Sequence, residues 1–338
     1  MELQDGRLAL FAEFGFTTDP FLKIKRELET TDTLRTRRIT GMAIDSRAMI
    51  LVTGARGFGK TDAVMKALKD RDKTILVSLI SSDCDTVKIG DIERALILDV
   101  AAAMGTQEKE TPKRSREIRA RQVRRLVGDA VVSGKMSVVL LLEETHRMHA
   151  STLRSLKTLR EMEWHGNSPL FTIIMLAQYD PLRNNPSVDE VRLRTDKIEM
   201  RGLTAKEVKE YIDRTVGRAF EDDASEAVSR LAGPNNRGQN FLELQDLLCR
   251  LMGKAMQHGH KKVKAIDVFA LTGGGLKEVR KQAGLSQADV ARETGISASE
   301  ICQIEGGKPH TISPDRVVST TKAILAVAAR RLGEKTVA

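Results

Sequence analysis

Eight consecutive residues, Gly54, Ala55, Arg56, Gly57, Phe58, Gly59, Lys60 and Thr61, fit G-x-x-x-x-G-K-[ST] at every fixed position. Glycines at this spacing let backbone N–H groups turn inward around a phosphate, and a following helix adds the partial positive charge of its N-terminus. Lys60 would reach the β- and γ-phosphates of a nucleotide, and Thr61 would hold Mg²⁺. A second constellation is Glu143-Glu144, at the end of the apolar run Ser137–Leu142. Two adjacent carboxylates at a strand end can divide the labour: Glu143 orients Mg²⁺ and its waters, and Glu144 polarises an attacking water. The plainer alternative is two acids that open a loop. Gln178 follows another apolar run and sits where a polar side chain can sense a γ-phosphate, or merely ends a strand. Arg192 and Arg194 offer an arginine finger for a neighbouring subunit, or ordinary solvated charge. Arg237, in Gly233-Pro234-Asn235-Asn236-Arg237-Gly238, either folds back onto the γ-phosphate or is a loop arginine.

Such groups need a rigid frame. Five apolar, β-branched runs follow one another: Ala48–Thr53, Thr74–Ile80, Ser137–Leu142, Phe171–Leu176 and Asp196–Met200. Helix-compatible segments separate them, which predicts a parallel sheet with helices on both faces. Such sheets bind ligands at the carboxyl ends of their strands, and the phosphate loop follows the first run. After Gly202 the pattern becomes helical. Thr204-Ala205-Lys206-Glu207 reads as a capped start, and Val208, Tyr211, Ile212 and Val216 recur at helical spacing. Further helices are expected near Asp223–Leu231, Phe241–Gln257 and Ala265–Leu271. Gly273-Gly274-Gly275 reads as a linker.

The expected layout is an N-terminal segment (1–40), an α/β nucleotide-binding domain (41–202), a helical lid (203–272) and an all-α module (276–338). The composition suits a globular protein, with 41% hydrophobic and 30% charged residues. Only 4% are aromatic, which argues against extensive base stacking on aromatic platforms. A net charge of +9 suggests a polyanionic partner, most simply nucleic acid. Cys84, Cys249 and Cys302 are too scattered for a zinc site and read as reduced thiols. No apolar run approaches a membrane span, and the acidic start lacks a signal-peptide layout. The expectation is a cytoplasmic protein.

Strand, phosphate loop, acid pair, polar strand end, arginine and lid together resemble the AAA+ ATPases, here the group of ExeA-type and Mu B- or TnsC-type transposition ATPases. Phe14-Gly15-Phe16-Thr17-Thr18-Asp19-Pro20-Phe21 is similar to their F-G-L-x-x-x-P-F opening. Leu176-Ala177-Gln178-Tyr179-Asp180-Pro181-Leu182 is similar to their G-Q-P-x-L segment, and Leu203–Ile212 to the L-x-x-x-E-x-x-x-Y-I start of their lid. The resemblance implies ATP and Mg²⁺ as ligands, oligomers on duplex DNA and a transposase partner. A helicase loader, a replication initiator or a nucleotide-controlled transcription regulator remain alternatives. The family has Asp where this chain has Glu143, one methylene longer.

Two stretches are candidates for DNA contact. Lys113, Arg114, Arg116, Arg119, Arg121, Arg124 and Arg125 crowd a helix-compatible stretch, on which Arg114, Arg121 and Arg125 would share one side. The stripe either tracks a phosphate backbone or is a solvated helix face. The string GLSQADVARETGISASEICQIEGGK, residues 284–308, resembles the Cro/CI-type helix-turn-helix family. By position, Gln287, Ala298, Ser299 and Gln303 are its DNA-facing candidates, with Lys308 as a phosphate contact. No Arg or Lys in this set is placed to read guanine, and Glu300 would repel phosphate if it faced the backbone.

Overall fold

The computed structural model describes residues 2–24, 28–69, 71–79, 87–231, 240–272, 276–306 and 312–337. The chain forms two compact units, Thr30–Gly202 and a discontinuous one made of Met1–Glu29 and Leu203–Ala338. In chain order, the discontinuous unit opens with α1 (Glu2–Glu13) and α2 (Phe21–Ile24). The nucleotide unit follows as α3 (Thr31–Asp45), β1 (Met49–Thr53), α4 (Lys60–Lys69), β2 (Thr74–Leu79), α5 (Ile89–Ala103), α6 (Arg116–Val132) and β3 (Ser137–Leu142). It ends with α7 (Ala150–Arg160), β4 (Thr172–Ala177), α8 (Asp189–Arg192) and β5 (Thr195–Glu199). The discontinuous unit then resumes with α9 (Ala205–Thr215), α10 (Asp222–Leu231), α11 (Phe241–Gln257) and α12 (Ala265–Thr272). It closes with α13 (Leu276–Gln282), α14 (Gln287–Thr294), α15 (Ala298–Glu305) and α16 (Pro314–Val337).

All five expected strands form, within a residue or so of the apolar runs. They pair in parallel in the order β2-β3-β4-β1-β5. Period-two alternation divides their side chains between two cores. Ile50, Val52, Val139, Leu141, Ile174 and Leu176 face α3 and α4, with Ile44, Val64 and Leu68. Met49, Leu51, Leu140, Leu142, Ile173 and Met175 face α5, α6 and α7, with Ile97, Val127 and Leu156. The sheet is covered on both sides, as the apolar central strands β3, β4 and β1 require, while the edge strand β5 exposes Asp196, Lys197 and Glu199.

In the discontinuous unit, Phe11, Phe21, Tyr211 and Phe241 form a run of ring contacts at 5.7, 6.3 and 5.2 Å. The Phe-rich N-terminal segment thus packs on α9 and α11. Thr204 caps α9 reciprocally with Glu207, as the sequence spacing predicts. Among the described residues no helix is long and apolar enough to cross a membrane.

Candidate nucleotide site and DNA-facing module

β1 leads straight into the phosphate loop, and α4 starts at Lys60. The loop is tight against β5. A Cβ on Gly54 would lie 3.1 Å from the Met200 carbonyl oxygen and 3.0 Å from the Phe58 ring, so this position admits only glycine. Gly59 has φ +84°, which other residues rarely adopt. Phe58 packs on the apolar layer under α3 and α4 and anchors the loop. Ala55, Arg56 and Thr61 are exposed, and Gly57 is half-buried. Lys60 Nζ donates to the carbonyls of Gly54 (2.7 Å) and Ala55 (3.0 Å). Burial pulls its ammonium below the ordinary lysine range, against the opposing effect of Glu144 and Glu143.

The strand order brings the candidate catalytic groups together. β4 lies between β1 and β3, so Gln178 emerges between the phosphate loop and the acid pair. The Gly54 N–H donates to the Ala177 carbonyl (3.2 Å), which ties loop and strand end directly. Glu143 is half-buried. Burial, then Glu144, holds its carboxyl above the ordinary range, partly offset by Lys60. Glu144 sits in the left-handed region at φ 50°, ψ 36°. That conformation is unfavourable for a residue with a Cβ and persists only where neighbours enforce it. Two neighbours do. Buried Thr145 donates its hydroxyl to the Leu176 carbonyl (3.0 Å), and His146 Nδ1 accepts from the Gln178 N–H (3.3 Å).

The sequence reading missed His146. Its Nδ1 accepts, so Nε2 carries the proton and lies 3.6 Å from Glu144 Oε2. The ring also rests on Tyr179, 4.9 Å between centroids. Burial lowers its pKa, only partly countered by Glu144, so it is neutral at neutral pH. It is therefore placed to orient the Glu144 carboxylate without competing for its charge. A histidine two residues after an acid pair was a visible signal, but its meaning depends on the left-handed turn and on β4 lying beside β3.

Thr61 and Glu143 belong to an all-oxygen set of hydroxyl and carboxylate donors, which fits a hard cation such as Mg²⁺. The raised Glu143 pKa fits too, since a cation there would relieve the crowding with Glu144.

Arg192 and Arg194 lie elsewhere. Thr195, at the start of β5, is level with Met49, at the start of β1. The two arginines thus sit at the amino end of the sheet, about 13 Å along the strand from the phosphate loop. Arg192 pairs with Asp189 (2.9 Å) and Arg194 with Glu161 (3.2 Å). Neither can serve its own chain's loop. Arg237 lies outside the described residues.

The basic stripe differs from its expected form. α6 begins at Arg116 with Ser115 as its N-cap, so Arg114 is in the preceding loop and shares no helix face with Arg121 and Arg125. The cause is Arg119. It turns inward to pair with buried Glu93 (2.7 Å) and donates to the carbonyls of Lys113 and Arg114 (both 3.2 Å), which fixes the loop. Arg121 pairs with Glu117 (2.6 Å) and Arg125 with Glu110 (2.5 Å). Much of the stripe's charge is compensated by acids.

In the C-terminal module, α14 ends at Gly295, a turn follows, and α15 starts after the cap Ser297. Val290, Ile301, Ile304 and Ile324 are buried together with Leu276. Ala298, Ser299 and Gln303 are exposed along α15. Gln287 Nε2 donates inward to Glu305 (2.8 Å). Glu300 faces away from any DNA approaching α15: it accepts from Arg316 (3.0 Å) and Thr320 (2.8 Å) of α16. Arg280 and Glu305 form a buried pair at 2.6 Å between α13 and α15. Lys308 lies outside the described residues.

Residues 43–184 match the AAA domain family, and residues 273–333 match a helix-turn-helix domain family. No curated protein is similar to the chain at a significant level. Among solved structures, it is similar to Cdc6p from Pyrobaculum aerophilum, with 14% identity, a TM-score of 0.48, 96% of this chain and 98% of that chain covered. It is also similar to the Aeropyrum pernix ORC1 protein in complex with DNA (15%, TM-score 0.47, 92% and 87% covered). A RuvB variant from Thermotoga maritima is a third (15%, TM-score 0.42, 84% and 88% covered). The chain joins a parallel-sheet unit carrying a P-loop, most of which matches the AAA domain family, to a helical module that matches a helix-turn-helix family.

Proposed function

We propose that this AAA+ protein is an ATP-driven DNA-binding switch: ATP promotes assembly of copies on duplex DNA, and hydrolysis releases them. The observation that carries this is the convergence of three strand ends, with Lys60, Glu143-Glu144 and Gln178, in a chain that also holds a helix-turn-helix. Loop N–H groups and Lys60 take the β- and γ-phosphates, with Lys60 leaving the Gly54 and Ala55 carbonyls to do so. Thr61 and Glu143 would hold Mg²⁺, which supplies charge neutralisation between phosphate oxygens when bound. Glu144, oriented by His146, polarises the attacking water, and Gln178 senses the γ-phosphate. Arg192 or Arg194 acts in a neighbouring copy's site, which their distance from their own loop supports. The helix-turn-helix contacts duplex DNA through α15.

In the finer form of this proposal the assembly marks target DNA and activates a transposase, as the likeness to Mu B- and TnsC-type proteins implies. One observation favours a second reading, a helicase loader or replication initiator. The helix-turn-helix follows the lid here, whereas a Mu B-like chain is expected to carry it first.

The test is electron microscopy of the protein on random-sequence duplex DNA, with and without ATP. Filaments or stacked rings that require ATP, and that Lys60→Ala fails to form, are the expected result. Discrete, ATP-independent complexes that require one sequence would overturn it in favour of a transcription regulator. Transposase stimulation set against helicase loading then separates the two partners.

A further inference from the structure

A second polar cluster lies far from this chemistry in sequence, where α11 hands over to α12. α11 ends in a reciprocal turn: the Gly259 N–H donates to Met256 and the His260 N–H to Ala255. Gly259 takes φ +70°, the left-handed conformation such a turn requires. This places His258 and His260 on either side of one glycine, with both rings toward the start of α12. Asp267 meets them there. His258 Nδ1 lies 2.7 Å from Asp267 Oδ1, and His260 Nδ1 lies 2.9 Å from Oδ2. Asp267 Oδ2 also accepts the Lys264 N–H (3.0 Å), so the carboxylate caps α12. The loop between is clamped by Glu221 N–H to the Val263 carbonyl (3.0 Å) and Val263 N–H to the Ala219 carbonyl (2.8 Å).

Asp267 is fully buried, whereas the His258 and His260 side chains are 18% and 26% exposed. A buried carboxylate needs compensating positive charge. The partly exposed rings give a small cation a way in. One donor atom from each residue lies within 4.8 Å of the others. Bonds of about 2.0–2.1 Å at tetrahedral angles put ligand atoms roughly 3.3 Å apart. Carboxylate and imidazoles therefore need only separate by a few tenths of an ångström, while the two rings close toward each other.

We infer that His258, His260 and Asp267 form a binding site for a divalent first-row transition ion, with zinc as the fitting case. Two imidazoles and one carboxylate suit zinc, cobalt or nickel, and not the Mg²⁺ expected at the phosphate loop. The ion takes the place between the Nδ1 atoms and Asp267, with each imidazole carrying its single proton on Nε2 and any further proton released to solvent, and water fills the fourth position. It fastens the end of α11 to the start of α12, and α12 packs on α10 and α16. The site is independent of the nucleotide reading.

The full chain, freed of metal with a chelator and kept without nucleotide, is titrated with Zn²⁺ by calorimetry and with Co²⁺ by visible absorption. The expected result is one equivalent bound per chain in the presence of excess Mg²⁺. A tetrahedral Co²⁺ spectrum without thiolate charge transfer and a raised melting temperature should accompany it. His258→Gln and His260→Gln should each weaken binding at least tenfold. Circular dichroism verifies their fold, since both rings are partly exposed. No saturable binding, binding unchanged in both variants, or a thiolate band would overturn the assignment.

Discussion

The strained turn at Glu144 depends on single side chains whose effects are separable. If Glu144 polarises the attacking water as proposed, Glu144→Gln should lower ATP turnover by about 10²–10⁴-fold while nucleotide still binds. His146→Ala should lower turnover by a smaller factor with nucleotide affinity unchanged, as expected of a positioning residue. An unchanged rate in steady-state assays would remove His146 from the site. Glu143 makes an opposite, pH-dependent prediction. Its folded pKa is raised by burial and Glu144, so it favours the fold fully only below its unfolded value. That contribution is lost as the pH rises through the raised value, and at neutral pH the charged side chain opposes folding. Glu143→Gln should therefore raise the melting temperature of the nucleotide-free protein at neutral pH, and the gain should vanish at about pH 4. The same variant should lose the extra stability that Mg²⁺-ATP confers. A lower melting temperature at neutral pH would contradict this account. The phosphate loop was legible because its signal is local spacing. Glu143-Glu144 was legible because the run before it is a strand. His146 was not, because only the strand order brings it under Gln178.

Elements were legible where one periodicity dominates. Five apolar runs gave five strands, and the cap at Thr204 marked a real helix start. The strand order was not legible, because parallel crossovers leave no local trace. The shared helix face expected for Arg114, Arg121 and Arg125 was misjudged for a related reason. The stripe's partners Glu93 and Glu110 come from other segments, and ion pairing across segments is invisible to a helical wheel. The helix-turn-helix has the same hidden dependence in Arg280 and Glu305. Breaking one side with Arg280→Ala should destabilise this unit by about 3–5 kcal/mol, because it leaves a buried charge. Replacing both, Arg280→Met with Glu305→Leu, should recover most of the loss. Denaturant melts of the single and double variants test this, and a double variant no more stable than the single would refute it.

At the scale of the whole molecule, the +9 charge is not concentrated on either stretch that the sequence offers for DNA contact. Acids neutralise much of the stripe on α6, while α15 exposes uncharged residues. A negative charge on α15 should therefore uncouple the two activities. Ser299→Asp adds an acid to the first turn of α15, where the helix dipole favours it, so folding should be intact. Binding to duplex DNA should weaken several-fold at low salt, with nucleotide affinity unchanged, as gel-shift and nucleotide titrations will show. Equal DNA binding in the variant would mean that α15 does not face the duplex. The chain path has its own consequence. Asp32, at the start of α3, accepts N–H groups from Arg201 and Gly202, so the entry and exit of the nucleotide unit are stitched together at one carboxylate. Topologically, Thr30–Gly202 is an insert whose two ends meet. Because its ends are joined at one carboxylate, the whole unit occupies only a narrow gap in the path from Glu29 to Leu203.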